Sequence, residues 1–252
     1  MKKTNRKYNL IIKRLPTKNL KLAKIERVAK LPPFVDIRKG MPPIFDQGQL
    51  GSCTANALCG IVGQDVKYNG SCFLGSRLFL YYNERKIEND IPDDAGAELS
   101  DGVLSLQKHG ICPESEWPYD ISKFTVTPPD ACYTSALKHT AINVTHIPQD
   151  IISMKTSLFN NAPFVVGICI YESFESDKVA ATGMVPMPDT KKEQMLGGHA
   201  VLCVGYDDSR KVWIMRNSWG TDWGDKGNFY LPYDYLLDTN LSTDLWNITK
   251  MS

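Results

Sequence analysis

The sequence predicts an α+β protein of two lobes, helical in its first half and strand-rich in its second. Apolar residues recur at three- and four-residue steps before about residue 160, whereas runs rich in Val and Ile begin at Phe164. A chain of 252 residues, 42% hydrophobic, can also bury a sizeable core in one large domain or two small ones. There is no internal repeat and no low-complexity tract.

The first helix follows the loop Asp46 to Ser52 and carries Leu58, Ile61, Val62 and Val66 on one face. Ser76 to Lys86 and Ser100 to His109 predict two more, the second closed by Gly110. Between them lies an acidic loop, Asp90 to Asp101, broken by Pro92 and Gly96. Pro148 introduces a fourth helix over Gln149 to Phe159, with apolar positions at 151, 154 and 158. Strands are predicted over Phe164 to Tyr171, His199 to Tyr206, Lys211 to Asn217 and Asn228 to Leu231.

The formal net charge is only +1, but it is unevenly spread. Residues 1–30 hold 11 Lys and Arg against Glu26 alone, so the remainder is net acidic by nine. Such an arm can be a solvated tail or can touch nucleic acid or membrane; the reading preferred is an extension lying on its own acidic body. Tyr8, Leu10, Ile11 and Leu20 would be its apolar anchors, and a cut between about Lys24 and Leu31 would release it. No apolar run reaches the length of a membrane span, and Lys and Arg interrupt Leu10-Ile11-Ile12 before it can act as a secretory signal. An intracellular protein is therefore expected, with no nucleic acid partner.

The chemistry gathers at Cys53. Gln47-Gly48-Gln49-Leu50-Gly51-Ser52-Cys53 places one thiol at a helix start, where unpaired N–H groups and the helix dipole favour thiolate. Gln47 can return its amide beside the sulfur to hold an oxyanion. A thiol hydrolase also needs a base and a group that orients it. His109 sits at a helix end, and His139 and His146 flank a connecting stretch without a motif. His199 heads a strand after Gly197-Gly198, and Asn217 ends the next strand, before Trp219 and Trp223. Six cysteines remain: Cys59, Cys72, Cys112, Cys132, Cys169 and Cys203. Mostly reduced thiols are expected, and the lack of a C-x-x-C pair argues against structural zinc.

The Gln-Gly-x-x-Gly-Ser-Cys loop, the His-Ala-Val-x-x-Val-Gly-Tyr strand and the Asn-Ser-Trp-Gly-x-x-Trp-Gly run resemble the papain-like cysteine peptidases, in the family's order. The resemblance implies a papain-like two-lobed fold, a helical lobe and a β-barrel-like lobe with the cleft between them. Residues 32–142 would form the first lobe and 143–252 the second, with 1–31 as a short propeptide. It implies Cys53 as nucleophile, His199 as base and acid, Asn217 as its orienter and Gln47 in the oxyanion hole. Trp219 would shield the His199–Asn217 bond and Trp223 would wall the leaving-group side. Gly96, Ala97 and Leu99 fall where the family binds substrate backbone, Gly167 where it lines the specificity pocket, and Gly198 just before the base. The small residues imply a roomy pocket for a large apolar side chain second before the cut. No metal or organic cofactor is implied, and the substrates would be proteins or peptides. An acyl-transferring ligase or transpeptidase, or a catalytically silent peptide-binding relative, shares these motifs. Leu50 stands where secreted relatives carry a cysteine.

Overall fold

The structure is a computed structural model that describes residues 6–12, 30–65, 67–68 and 71–252. The expected anchor Leu20 and the expected cut beyond Lys24 lie outside the described residues, save Lys30 and Leu31. The elements run β1 (Phe34–Asp36), α1 (Cys53–Asp65), the hairpin β2 (Lys67–Tyr68) and β3 (Ser71–Cys72), α2 (Arg77–Glu88), α3 (Leu99–Lys108) and α4 (Asp130–Ala136). They continue with β4 (Ala141–His146), α5 (Ile151–Phe159), β5 (Phe164–Tyr171), α6 (Asp177–Thr182) and β6 (Met195–Asp207). The chain closes with β7 (Val212–Arg216), β8 (Asn228–Pro232), α7 (Tyr233–Leu237) and β9 (Ser242–Met251). The fold is α+β: helices, a seven-stranded antiparallel sheet in the order β4-β9-β5-β6-β7-β8 with β1 beside β6, and the separate two-stranded β2-β3. Among the described residues no helix is long and apolar enough to cross a membrane.

The helix ends follow local chemistry. Ser76 caps α2 by accepting from the Phe79 N–H at 3.1 Å, and Asn89 closes it in the left-handed region. Asp150 caps α5 in the same way, through the Ser153 N–H. Helix α3 stops at His109, and Gly110 follows at φ +70°, where a Cβ would lie 2.0 Å from the Ala136 carbonyl oxygen. Residues 53–63 of α1 are buried on every side, as expected for a helix through the interior.

The central strands read as near-continuous apolar runs because both of their faces are covered. On β6, Ala200, Leu202 and Val204 join the core around α1, whereas Val201 and Cys203 face a second core containing Phe164, Trp213 and Phe229. Val212 and Ile214 of β7 alternate with Trp213 and Met215 likewise. The sequence predicts none of β1, β2, β3, β4 and β9. Strand β4 is an edge strand, exposed at Ile142 and Asn143, and its pairing with β9 shifts register twice. Its residues therefore carry no clean alternation. Strand β1 comes from the stretch expected to build the helical lobe yet pairs with β6, while α5, α6 and α7 lie among the later strands.

Beneath the start of α1, Glu84 is fully buried and accepts a hydrogen bond from Thr54 Oγ1 at 2.7 Å. Burial pushes its carboxyl up to about 8; Glu88 and Asp101 add to the rise, against the Thr54 bond and Arg85. An acid raised in the folded state is stabilising as its neutral form. That contribution is complete below the unfolded value near 4.5 and is lost as pH climbs toward 8. Stability should therefore decline across that window, and Glu84→Gln should flatten the slope in urea titrations at successive pH values.

Candidate active site

Cys53 opens α1, and its sulfur meets the backbone of Ala200, the residue after His199. Strand pairing sets His199 opposite Ile168 and Ala200 opposite Gly167, so the histidine and the expected pocket glycine sit on neighbouring strands. His199 Nε2 lies 2.8 Å from Asn217 Oδ1, which also accepts the Ser218 N–H at 2.9 Å. Asn217 therefore offers an acceptor, Nε2 carries the proton, and Nδ1 keeps the lone pair. Nδ1 is buried and makes no hydrogen bond among the described residues. Trp219 stacks on the imidazole with centroids 4.8 Å apart and 22° between planes.

Gln47 is held from both ends. Its Oε1 accepts from Ser218 Oγ at 2.6 Å, and its Nε2 donates to the Leu50 carbonyl at 3.0 Å. An amide nitrogen has two hydrogens, so one remains for an oxyanion beside Cys53. Tyr119 braces the loop by donating to the Gln47 carbonyl at 3.0 Å. Its single hydrogen being so used, Ser52 is the donor in the 2.5 Å contact between their hydroxyls. Asp94 accepts from the Gly51 N–H at 2.9 Å and from Tyr81 at 2.6 Å. No motif marks Tyr119 or Asp94, although Asp94 belongs to the acidic loop Asp90 to Asp101.

Residues 6–12 lie along the cleft. Leu10 N–H donates to the Gly198 carbonyl and Ile11 N–H to the Ala97 carbonyl, each at 3.1 Å. The would-be Cβ positions of the surrounding glycines show how tightly the segment fits. At Gly96, φ +92°, a Cβ would lie 1.6 Å from the Asn9 carbonyl oxygen; at Gly167 it would lie 2.7 Å from Leu10 Cδ2. Leu10 thus occupies the expected specificity pocket and is buried in the core that also holds Ala97 and Leu99. Ile11, expected as an apolar anchor, is exposed. Tyr8 stands edge-on to His199 and Trp219. Lys7 pairs with Asp94 at 2.5 Å, and Arg6 with Glu175 at 3.0 Å. Trp223 lies one layer behind Trp219, buried and stacked on Phe174.

With this segment in place Cys53 and His199 are both fully buried. Burial pushes the Cys53 thiol up to about 12, against the Ala200 backbone bond, which favours thiolate. Burial lowers His199 to about 4; the Asn217 bond opposes the drop and the Arg6 charge adds to it. At neutral pH the pair is an uncharged thiol and imidazole. Cys59, Cys112, Cys132, Cys169 and Cys203 are also unbridged thiols.

The model for the papain family of cysteine proteases matches residues 31–242. An uncharacterised peptidase C1-like protein of Acanthamoeba polyphaga mimivirus is 40% identical over 246 residues, 94% of this chain and 78% of its own. Cysteine proteinase 3 of Entamoeba histolytica is 31% identical over 229 residues, 86% of this chain and 67% of its own. Among solved structures, xylellain, a cysteine protease from Xylella fastidiosa, superposes with a TM-score of 0.87 at 38% identity, covering 96% of this chain and 95% of its own. With one model spanning the cysteine, the histidine and the asparagine alike, the chain belongs to the papain family of cysteine proteases.

Proposed function

We propose that the protein is a cysteine endopeptidase, and that residues 6–12 hold it latent. Cys53 attacks the scissile carbonyl carbon while His199 Nδ1 takes the thiol proton. The oxyanion is held by the Gln47 amide and the Cys53 N–H. Collapse of the tetrahedral adduct breaks the C–N bond, and the imidazolium returns its proton to the leaving amine, leaving a thioester. Water, deprotonated by the same imidazole, then hydrolyses the thioester and restores the thiol. Asn217 fixes the tautomer this cycle requires.

The observation that carries the reading is the His199–Asn217 bond under Trp219, which leaves Nδ1 as the basic nitrogen on the residue before Ala200, whose backbone meets the Cys53 sulfur. Latency is supported by Leu10 in the Gly167 pocket and by the burial of both reacting groups beneath the segment. A thiol-directed epoxide should label Cys53 before the other cysteines, and Cys53→Ala should abolish peptide hydrolysis. Full hydrolysis by Cys53→Ala would end the assignment. Adding an amine nucleophile and analysing products tests the rival acyl transferase, which would yield mainly the new amide.

A further inference from the structure

The segment filling the cleft is itself a ligand, and its residue Arg6 marks a place built for a cation. The guanidinium carbon lies 4.2 Å from the Trp219 ring centroid and 5.9 Å from that of Trp223. Its Nη1 donates to Glu175 Oε2 at 3.0 Å and Oε1 at 3.3 Å. The side chains of Arg6 and Glu175 are only 23% and 14% exposed, so solvent screens this pair less than an open surface pair. A flat ring and a carboxylate aimed at one point favour a cation over any neutral side chain.

The place is rigid apart from the ligand. Glu175 ends the 3-10 turn Glu172–Glu175 that follows β5. The Ser173 N–H of this turn donates to Glu193 Oε2 at 2.8 Å, and its Phe174 is buried edge-on against Trp219. Trp219 is pinned from the other side by His199. Leu10 and Arg6 lie four residues apart along one segment, with Tyr8 against His199 between them. A substrate with an apolar side chain in the Gly167 pocket and its scissile bond at Cys53 therefore sends its leaving portion toward Trp219.

We propose that Glu175 and Trp219 form a leaving-side subsite that selects peptides with arginine or lysine at the third residue after the scissile bond, the place Arg6 takes when Leu10 stands second before it. The inference rests on the peptidase reading above. The same subsite grips Arg6 in the closed chain, so one carboxylate serves both the latch and the choice of substrate. Arginine is favoured over lysine, because its planar fork can lie on the ring and still reach the carboxylate. An acidic residue at that position is repelled by Glu175.

The test compares two internally quenched peptides, identical except for Arg or Gln at the third residue after the cut, with the full-length chain. Only the open fraction of enzyme turns over, and that fraction cancels in the ratio of the two kcat/KM values. The parent ratio should be about tenfold in favour of Arg. Glu175→Gln should bring it to within about twofold of unity, and Glu175→Arg should reverse it for a peptide with Glu in that position. A parent ratio near one, or a ratio that Glu175→Gln leaves intact, overturns the subsite. A binding readout separates this from failure of the peptidase reading. In the full chain carrying Leu10→Ala, the acetylated peptide of residues 6–12 should protect Cys53 from iodoacetamide at about tenfold lower concentration than its Arg6→Gln version. If neither peptide is cut, the peptidase reading falls and protection alone decides: the tenfold difference supports the subsite, and equal protection overturns it.

Discussion

His199→Ala is expected to lower kcat/KM by about 10³-fold, the largest loss for any change that leaves the thiol in place. Two effects add. The thiolate loses the cation that stabilises it, and the leaving amine loses its proton donor. The full chain carrying Leu10→Ala is the suitable background, because Tyr8 packs against His199 and a change there also disturbs the closed segment. Alkylation of Cys53 by iodoacetamide should slow at neutral pH and follow the titration of an ordinary thiol, near 8.5. Asn217→Ala should cost less, since the ring survives and only its tautomer and direction are loosened. If His199→Ala retained near-parental kcat/KM, the base would have to be found elsewhere.

Leu10→Ala in the full chain is expected to raise both hydrolysis and Cys53 alkylation by about 30-fold. The substitution removes most of a buried aliphatic side chain, about 2 kcal/mol of the closed state's hold. The closed-to-open ratio falls by that factor, and the rates rise with it for as long as the closed form predominates. The dependence on pH has a definite sign. In the closed form His199 is lowered to about 4, so the open form binds its proton first. As pH falls from the ordinary imidazole value near 6.5 toward 4, protonation therefore draws the equilibrium to the open side. Added salt acts in the same direction by screening Arg6–Glu175 and Lys7–Asp94. Alkylation of the parent from pH 7.5 to 4, at low and high salt, should show this loosening after correction for the intrinsic reactivity of the thiol. Equal rates for parent and Leu10→Ala at every pH would leave residues 6–12 without an inhibitory role.

What was legible in the sequence, and what was not, follows from the range of the interactions. The strands found in advance, over Phe164 to Tyr171 and His199 to Tyr206, are apolar on both faces and identify themselves locally. Strand β9 does not, because its pairing with β4 and β5 includes register shifts and polar residues such as Asn247. Cys53, Gln47, His199 and Asn217 stand in short runs of fixed composition, which is why the sequence offers them as candidates. Glu175 was not: an acidic residue in Glu-Ser-Phe-Glu carries no signal until Arg6, 169 residues earlier, is set against it. The charge asymmetry did point to contact between arm and body. It could not say that Leu10 would enter the Gly167 pocket, which is a matter of shape.

Asp94 has a consequence for the reducing conditions a thiol enzyme needs. Its carboxylate joins the loop before Cys53 through Gly51, helix α2 through Tyr81, and the cleft segment through Lys7. Leu50, where secreted relatives carry a cysteine, is packed in the core beside that junction. The described fastening of the loop is thus an ionic and hydrogen-bonded tie, with no sulfur–sulfur bond in it. Glutathione or dithiothreitol, added to keep Cys53 reduced, has nothing to cleave at this junction. The concentration of reductant can rise without loosening the geometry that the reduced sulfur depends on.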